Sequence, residues 1–487
     1  MSPSGQQADV VVEVSEWDNM QVVRDQIPLI TLQFKDLLDP ERLHESLVRL
    51  IDRDGWRRAG GRLRLNKAGK IELHIPKEFS PTRPAVGYGH RHYNVAIADH
   101  PIGSKMVSSV DPEQPKFHTP VPDLESLILR PGHPRSFKDY STGDEPVLNL
   151  SVVTFKDATL VSFTAPHCAW DMAGCKEIVE AWRCVLNGRE HDIKPVASFT
   201  RDPLLEVAEL AEEQKEDYLQ EKYFYSTWSW GAYVARILWE GLRGWNKPTP
   251  VAISIPPSYM SALREEALAT QGSGSEAPVP FLSDGDILTA WTTRLCAGAV
   301  SNSPRTITLL NVLDVRGRLP TIFGTSETYL QNCIMALHAS LSSTDLPTES
   351  NRLGAMAGAV RRAIIDLATP AQVALQGRAM RKAIAETGNM PLYGDSSSYS
   401  IITSNWTSAG HFKADFGAAA AADGNAAGRA KVVMPVKVHG TSINLPPVVT
   451  CWHILGKDAE GNYWVSGSVR GVTKEMMMAE IAKSRKA

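Results

Sequence analysis

The sequence predicts an α/β fold with mixed β-sheets, arranged as two domains joined by a helical connection. Three observations carry this. At 487 residues the chain exceeds the size at which one hydrophobic core usually stops growing. Strand-like and amphipathic helix-like runs both recur, but they alternate irregularly, unlike the regular rhythm of a doubly wound parallel sheet. A change of composition also sets residues 191–249 apart from 1–190 and 250–487.

The first clear element is a helix in "LLDPERLHESLVRLIDRDGW". Asp39 is placed as N-cap, and Pro40 stands where a missing N–H costs nothing. Leu43, Leu47, Leu50 and Ile51 recur at helical spacing as one buried stripe. "GGRLRL" and "KIELHI" read as two strands around a turn at "NKAGK". Residues 75–145, rich in proline, glycine and charge, read as loops and short strands. "PVLNLSVVTF" and "ATLVSFTA" read as a strand pair joined through "KDA".

Within 191–249, "LLEVAELAEEQKEDYLQEKYFYSTWSWGAYVARILWEGLRGW" reads as helical, acidic first and aromatic later. It holds Trp228, Trp230, Trp239 and Trp245, which fit a helix packed across a domain junction. An interfacial membrane helix is the other reading, but the acidic first half disfavours anionic lipid. Beyond it, "VAISIP" reads as a strand, "PSYMSALREEALA" as a helix and "TQGSGSEAPVP" as a loop. "SDGDILTAWTTRLCAGAV" is a helix with a polar start, and "RTITLLNVLDV" a long buried strand.

Composition excludes several function classes. A net charge of −3 argues against a general nucleic-acid binder. None of the six cysteines forms a Cys-x-x-Cys pair, which excludes the usual disulfide framework and zinc knuckle. No basic segment leads into an apolar core near the start, and no apolar run reaches membrane-spanning length, so a cytoplasmic protein is expected.

Chemistry concentrates in "TAPHCAWDMAGCKEIVEAW". Pro166 disfavours helix ahead of His167, and Asp171 is placed as N-cap of a helix ending near Gly188. His167 then lies on a strand-to-helix loop, where a neutral imidazole can take a proton. A metal site through His167, Asp171 and Cys175 would need one continuous helix, and a catalytic zinc needs three ligands. On these residues alone, the better reading of His167 is a histidine satisfied by backbone at a strand end.

Other segments reduce the choice. "PERLHESLVRLI…GGRLR", "HCAWD", "SDGDILTAWTTRLC", "NVLDVRGRLP", "YLQNC" and "SNWTSAGHFKADFG" follow one another from about residue 26 to 417. In that order they resemble the BAHD acyltransferase family, particularly its branch in fungal secondary metabolism.

The resemblance implies two chloramphenicol-acetyltransferase-like domains with a channel at their interface. It implies transfer of an acyl group, acetyl by expectation, from a coenzyme A thioester to a hydroxyl or amine. His167 would be the general base, with no covalent acyl-enzyme, and no Gly-x-Ser-x-Gly elbow occurs in the chain. Asp171 would be structural, paired with Arg316 or, second, Arg318. Trp406 would donate to the oxyanion, with Ser404 assisting or lining the channel. Asp415 and Gly417 would shape a turn. The resemblance further implies acyl-CoA as co-substrate, no bound cofactor or metal, a small-molecule acceptor and a monomer. Arg361, Arg362, Arg378, Arg381 and Lys382 are candidate cations for coenzyme A phosphates.

The sequence also departs from the family. Met172 follows the motif aspartate where glycine is usual, and "DFGAAAAADGNAAG" lacks the family's Trp and second Gly. A condensation-type or carrier-protein-fed acyltransferase of the same fold is the nearest alternative. A protein of this fold that binds a ligand without acylating it is the third.

Overall fold

The computed structural model describes residues 9–106, 109–118, 121, 123–197, 202–242, 248–271, 279, 281–297, 306–341, 352–421, 432–443 and 450–484. The strands of the first part are β1 (Val10–Glu13), β2 (Ile27–Phe34), β3 (Arg62–Leu65), β4 (Ile71–Ile75), β5 (Gly87–His92), β6 (Lys116–His118), β7 (Asn149–Thr154) and β8 (Thr159–Thr164). Those of the second are β9 (Pro248–Ile255), β10 (Ile307–Asp314), β11 (Ile334–Leu341), β12 (Tyr399–Asn405), β13 (Lys437–Ile443), β14 (Thr450–Lys457) and β15 (Tyr463–Arg470).

They form a three-stranded sheet β1-β4-β3, a five-stranded sheet β13-β2-β8-β7-β5 and a seven-stranded sheet β11-β10-β12-β14-β15-β9-β6. The two larger sheets are mixed. β5 runs parallel to β7, and β12 runs parallel to both β10 and β14. Helices cover them because each has one apolar stripe to bury. Asp39 caps the helix Pro40–Ile51, which buries Leu43, Leu47, Leu50 and Ile51. The helix Met172–Leu186 lies against it, with the Trp182 indole donating to the Leu43 carbonyl (3.2 Å) and Ser46 Oγ (2.8 Å).

The ranges 1–190 and 250–487 do not describe the sheets. β13 pairs along its whole length with β2, from Lys437–Gln33 to Ile443–Ile27. Conversely β6 lies at the edge of the other sheet, with Phe117 opposite Ile253. Each large sheet thus takes an edge strand from the other half of the chain.

The stretch 191–249 is not one long helix. A helix Pro203–Glu209 and a helix Thr227–Leu242 flank a segment of turns. Tertiary hydrogen bonds take over its backbone: Gln372 accepts from Leu219 N–H (3.0 Å) and donates to the Asp217 carbonyl (2.9 Å). Trp245 and most of the loop "TQGSGSEAPVP" lie outside the described residues. Residues 75–145 also hold two short helices, Leu124–Ile128 and Phe137–Thr142.

Because β6 and β13 are exchanged, each large sheet loses an edge strand when the other half unfolds. Calorimetry is expected to show a single unfolding transition, although chains of this size often unfold in steps. Two separated transitions would refute this coupling.

Candidate active site

β8 ends at Thr164, and the chain turns at Pro166, whose carbonyl accepts from Ala169 N–H at 2.9 Å. His167 N–H donates to the Gln26 carbonyl (2.8 Å), and the His167 carbonyl accepts from Asn332 Nδ2 (2.7 Å). Two distant segments therefore hold this backbone. Its imidazole Nδ1 is buried and has no hydrogen-bond partner among the described residues.

Burial lowers the His167 pKa below that of an ordinary histidine; its own backbone carbonyl, Asp171 and the Asn332 side chain oppose that shift. The ring is thus neutral at physiological pH.

Asp171 follows as N-cap of the helix Met172–Leu186, accepting from Gly174 N–H at 2.9 Å. Its carboxylate also receives two Arg316 N–H bonds of 3.0 Å each and Cys333 N–H at 2.8 Å. This is a bidentate pair, the geometry in which guanidinium and carboxylate match best. Arg316 is held charged, burial being outweighed by Asp171 and other neighbours. Arg318 is exposed and stands outside the pair. Gly174 permits the approach of this strand of chain, since a Cβ there would lie 2.1 Å from the Leu330 carbonyl oxygen. Met172 brings its sulfur to 3.2 Å from Nε2 of buried His411.

A second buried carboxylate supports the same region. Asp18 accepts from Asn332 Nδ2 (2.6 Å), Asn332 N–H (3.1 Å), Gln331 Nε2 (3.1 Å) and Ser15 Oγ (2.9 Å). Burial raises its pKa to about 6 despite these donors. Asn332 therefore bridges Asp18 and the His167 carbonyl.

Ser404 and Trp406 come from the end of β12. The Trp406 indole N–H donates to Ser404 Oγ (3.0 Å), so this donor is engaged within the protein. The Trp406 ring lies 4.2 Å from the His453 ring, centroid to centroid. The ring also meets β13 at Gly440, where a Cβ would come within 2.6 Å of it. Asp415 accepts from Gly417 N–H and Val433 N–H at 2.8 Å each. Phe416 between them packs on Trp182, and Arg183 reaches the Asp415 carbonyl. That contact is eleven residues, roughly 16 Å, along the helix from the start beside Asp171. The Asp415–Gly417 turn thus lies outside the cluster around His167.

Of the five candidate cations, Arg361 pairs with Asp286, Arg381 with Glu16, and Arg378 reaches the Ala211 carbonyl. Among the described residues no three His, Cys, Asp or Glu side chains are placed to hold a metal ion. Asp18, His411 and His453 carried no sequence signal, and Asn332 was visible only within "YLQNC".

His167 is thus held by residues from both parts of the chain, and the buried Asp171–Arg316 pair again joins the two. No family model matches the chain. It is 31% identical over 495 residues to the transcriptional regulator calD of Penicillium decumbens, covering 99% of this chain and 97% of that protein. It is 31% identical over 508 residues to acetyltransferase BOT5 of Botryotinia fuckeliana, covering 98% and 91%. Over 483 residues it is 30% identical to O-acetyltransferase PaAT-2 of Phomopsis amygdali, covering 96% of each. The solved structure of F. graminearum TRI101 complexed with ethyl coenzyme A matches with a TM-score of 0.69 at 14% identity, covering 97% and 98%. Vinorine synthase matches at 0.59 and 12%, covering 99% and 95%. At such identities the structural likeness shows the fold alone.

The chain belongs to the BAHD acyltransferase family, in its fungal secondary-metabolism branch. It is an acyltransferase with the two-domain, chloramphenicol-acetyltransferase-like α/β fold.

Asp171→Ala strands the buried Arg316 charge and should cost about 3–5 kcal/mol in urea unfolding, the usual penalty for breaking a buried pair. Arg316→Met added to Asp171→Ala should restore part of it. An Asp171→Ala protein as stable as wild type would show that the pair holds nothing together.

Proposed function

We propose that the protein transfers an acyl group, in the simplest case acetyl, from a coenzyme A thioester to a hydroxyl of a natural product, with His167 as general base. The observation that carries this reading is a neutral imidazole between the two halves, its backbone gripped by Asn332 and Gln26. We take the ring in the tautomer with hydrogen on Nδ1. Nε2 is then free to take the proton of the acceptor hydroxyl as its oxygen attacks the thioester carbonyl.

The carbonyl oxygen becomes an oxyanion that needs a donor. With the Trp406 N–H given to Ser404 Oγ, the Ser404 hydroxyl is the group left to donate, polarised by the indole behind it. Collapse of the tetrahedral intermediate breaks the C–S bond. The coenzyme A thiolate then takes the proton from the His167 imidazolium, leaving ester, thiol and neutral histidine. Asp171 and Arg316 take no part in proton transfer on this reading; they hold the loop in place.

The relatives named as acetyltransferases, and TRI101 with its bound coenzyme A, support an acyl-CoA donor. The relative named as a transcriptional regulator favours keeping a non-acylating ligand binder as second reading. We also take the protein to work as a cytoplasmic monomer with its channel between the halves, on the family resemblance.

His167→Ala is expected to remove turnover, about a thousandfold or more in kcat, without lowering the melting temperature. In wild type the neutral ring is the active form. The kcat/KM should stay level from pH 8 downward and fall only below the ordinary histidine value, because burial depresses this pKa. An acid limb centred above pH 7 would count against His167 as base.

Coenzyme A at about a hundred times its dissociation constant should stabilise the folded protein by roughly 2.7 kcal/mol, in wild type and His167→Ala alike. No thermal shift in either would favour a carrier-protein donor or the non-acylating reading.

A further inference from the structure

A row of side chains crosses the seven-stranded sheet on one face. The register places His118 opposite Ala252, Ala252 opposite Ser466, Ser466 opposite His453, and His453 opposite Ser404. Successive strand residues point to opposite faces, so this row stands on the side away from Ile253, Val465 and Trp452, which are core. At one end, Ser404 carries the Trp406 indole. At the other, His118, Ala252, Ser466 and His453 line a cavity of about 630 Å³ bounded also by β13, Val121 and residues 123–126. This lies within the range of small-molecule sites. His453 belongs to both ends: it lines the cavity and packs at a tilt against Trp406.

The cavity's polar groups are mostly uncharged. Burial holds His118, His439 and His453 neutral, at about 4, 3 and 4, with His167 adding to the effect on His453. Of its cations, Lys437 Nζ donates to the Met106 carbonyl (2.9 Å) and Arg135 pairs with Glu125, while the exposed Lys105 shares the lining with Asp123 and Glu125. That is a poor setting for the phosphates of coenzyme A. His453 Nδ1, in contrast, is buried with no hydrogen-bond partner among the described residues, while Nε2 faces Cys451 Sγ at 3.6 Å. A desolvated nitrogen in that state is stabilised by any ligand that supplies the missing partner.

We propose that this cavity holds the acceptor and that His453 hydrogen-bonds a second oxygen of it, so that the acceptor is an uncharged, mainly apolar molecule with another oxygen function beside the reacting hydroxyl. The inference rests on His167 being the acyl-transfer base. A site built to pair such an oxygen rejects analogues lacking it far more strongly than an apolar pocket rejects a missing methylene. His453 is thus an acceptor-selecting residue, distinct from the base.

The test uses acetyl-CoA, thiol release as readout, and rigid terpene and steroid alcohols, each as mono-alcohol and as vicinal diol of the same skeleton. Isopinocampheol against pinanediol is the smallest pair, and shikimate is the carboxylate-bearing control. Wild type should prefer diols at least tenfold in kcat/KM and ignore shikimate. His453→Phe, which keeps the ring against Trp406, should bring that ratio near one without changing the KM for acetyl-CoA or the melting temperature. Ala252→Phe, which fills the cavity from the row, should raise the KM of the acceptor alone.

An unchanged ratio in a folded His453→Phe protein overturns the proposal, as does a raised KM for acetyl-CoA in Ala252→Phe. Acetyl-CoA binding with no transfer to any of these alcohols also overturns it. Failure to bind acetyl-CoA at all would instead sink the reading of His167 on which it stands.

Discussion

The buried bidentate pair between Asp171 and Arg316 is the constraint on which the site depends. It joins the first turn of the helix after His167 to the chain between β10 and β11. Such a pair adds little net stability over apolar replacements, because desolvating two charges consumes most of their attraction. What it gives is geometry: the Arg316 guanidinium donates in fixed directions to the Asp171 and Asp314 carboxylates and to the Tyr329 and Gln331 carbonyls. Cys333 N–H and Gly174 N–H use the same carboxylate, so strand, helix and loop meet at one group. Gly174 lets them meet closely.

Around that anchor the protein solves an electrostatic problem. A base must be unprotonated before reaction yet tolerate charge during it. Burial favours the neutral ring, while the His167 carbonyl, Asp171 and the Asn332 side chain soften the cost of the charged one. Asp18 stands a step further back and fixes Asn332 from two directions. The loop keeps its shape through backbone contacts, and the imidazole itself carries few polar ties.

Local chemistry was legible in the sequence, and non-local pairing was not. The N-caps at Asp39 and Asp171, the stripe of Leu43, Leu47, Leu50 and Ile51, and the β3–β4 and β7–β8 hairpins each depend on neighbours within a few residues. Arg316 lies 145 positions from Asp171 and came into view only through family resemblance. The long helix read into 191–249 fails because Gln372, far along the chain, competes for the backbone at Asp217 and Leu219. His453 sits in "TCWHILGK", too uniformly apolar for alternation to reveal its face. The partner of β13 could not be read, since "KVHGTSI" has no clear hydrophobic side.

The exchange of β6 and β13 has a consequence for inheritance. A recombination event that joined the first half of one relative to the second half of another would mismatch both large sheets at their edges. It would also bring a foreign β13, with the glycine that must clear Trp406, against β2. Specificity in this architecture is therefore poorly suited to shuffling in contiguous blocks. It changes more readily by single substitutions along one face of a sheet, where a new side chain meets the ligand and the strand order stays intact.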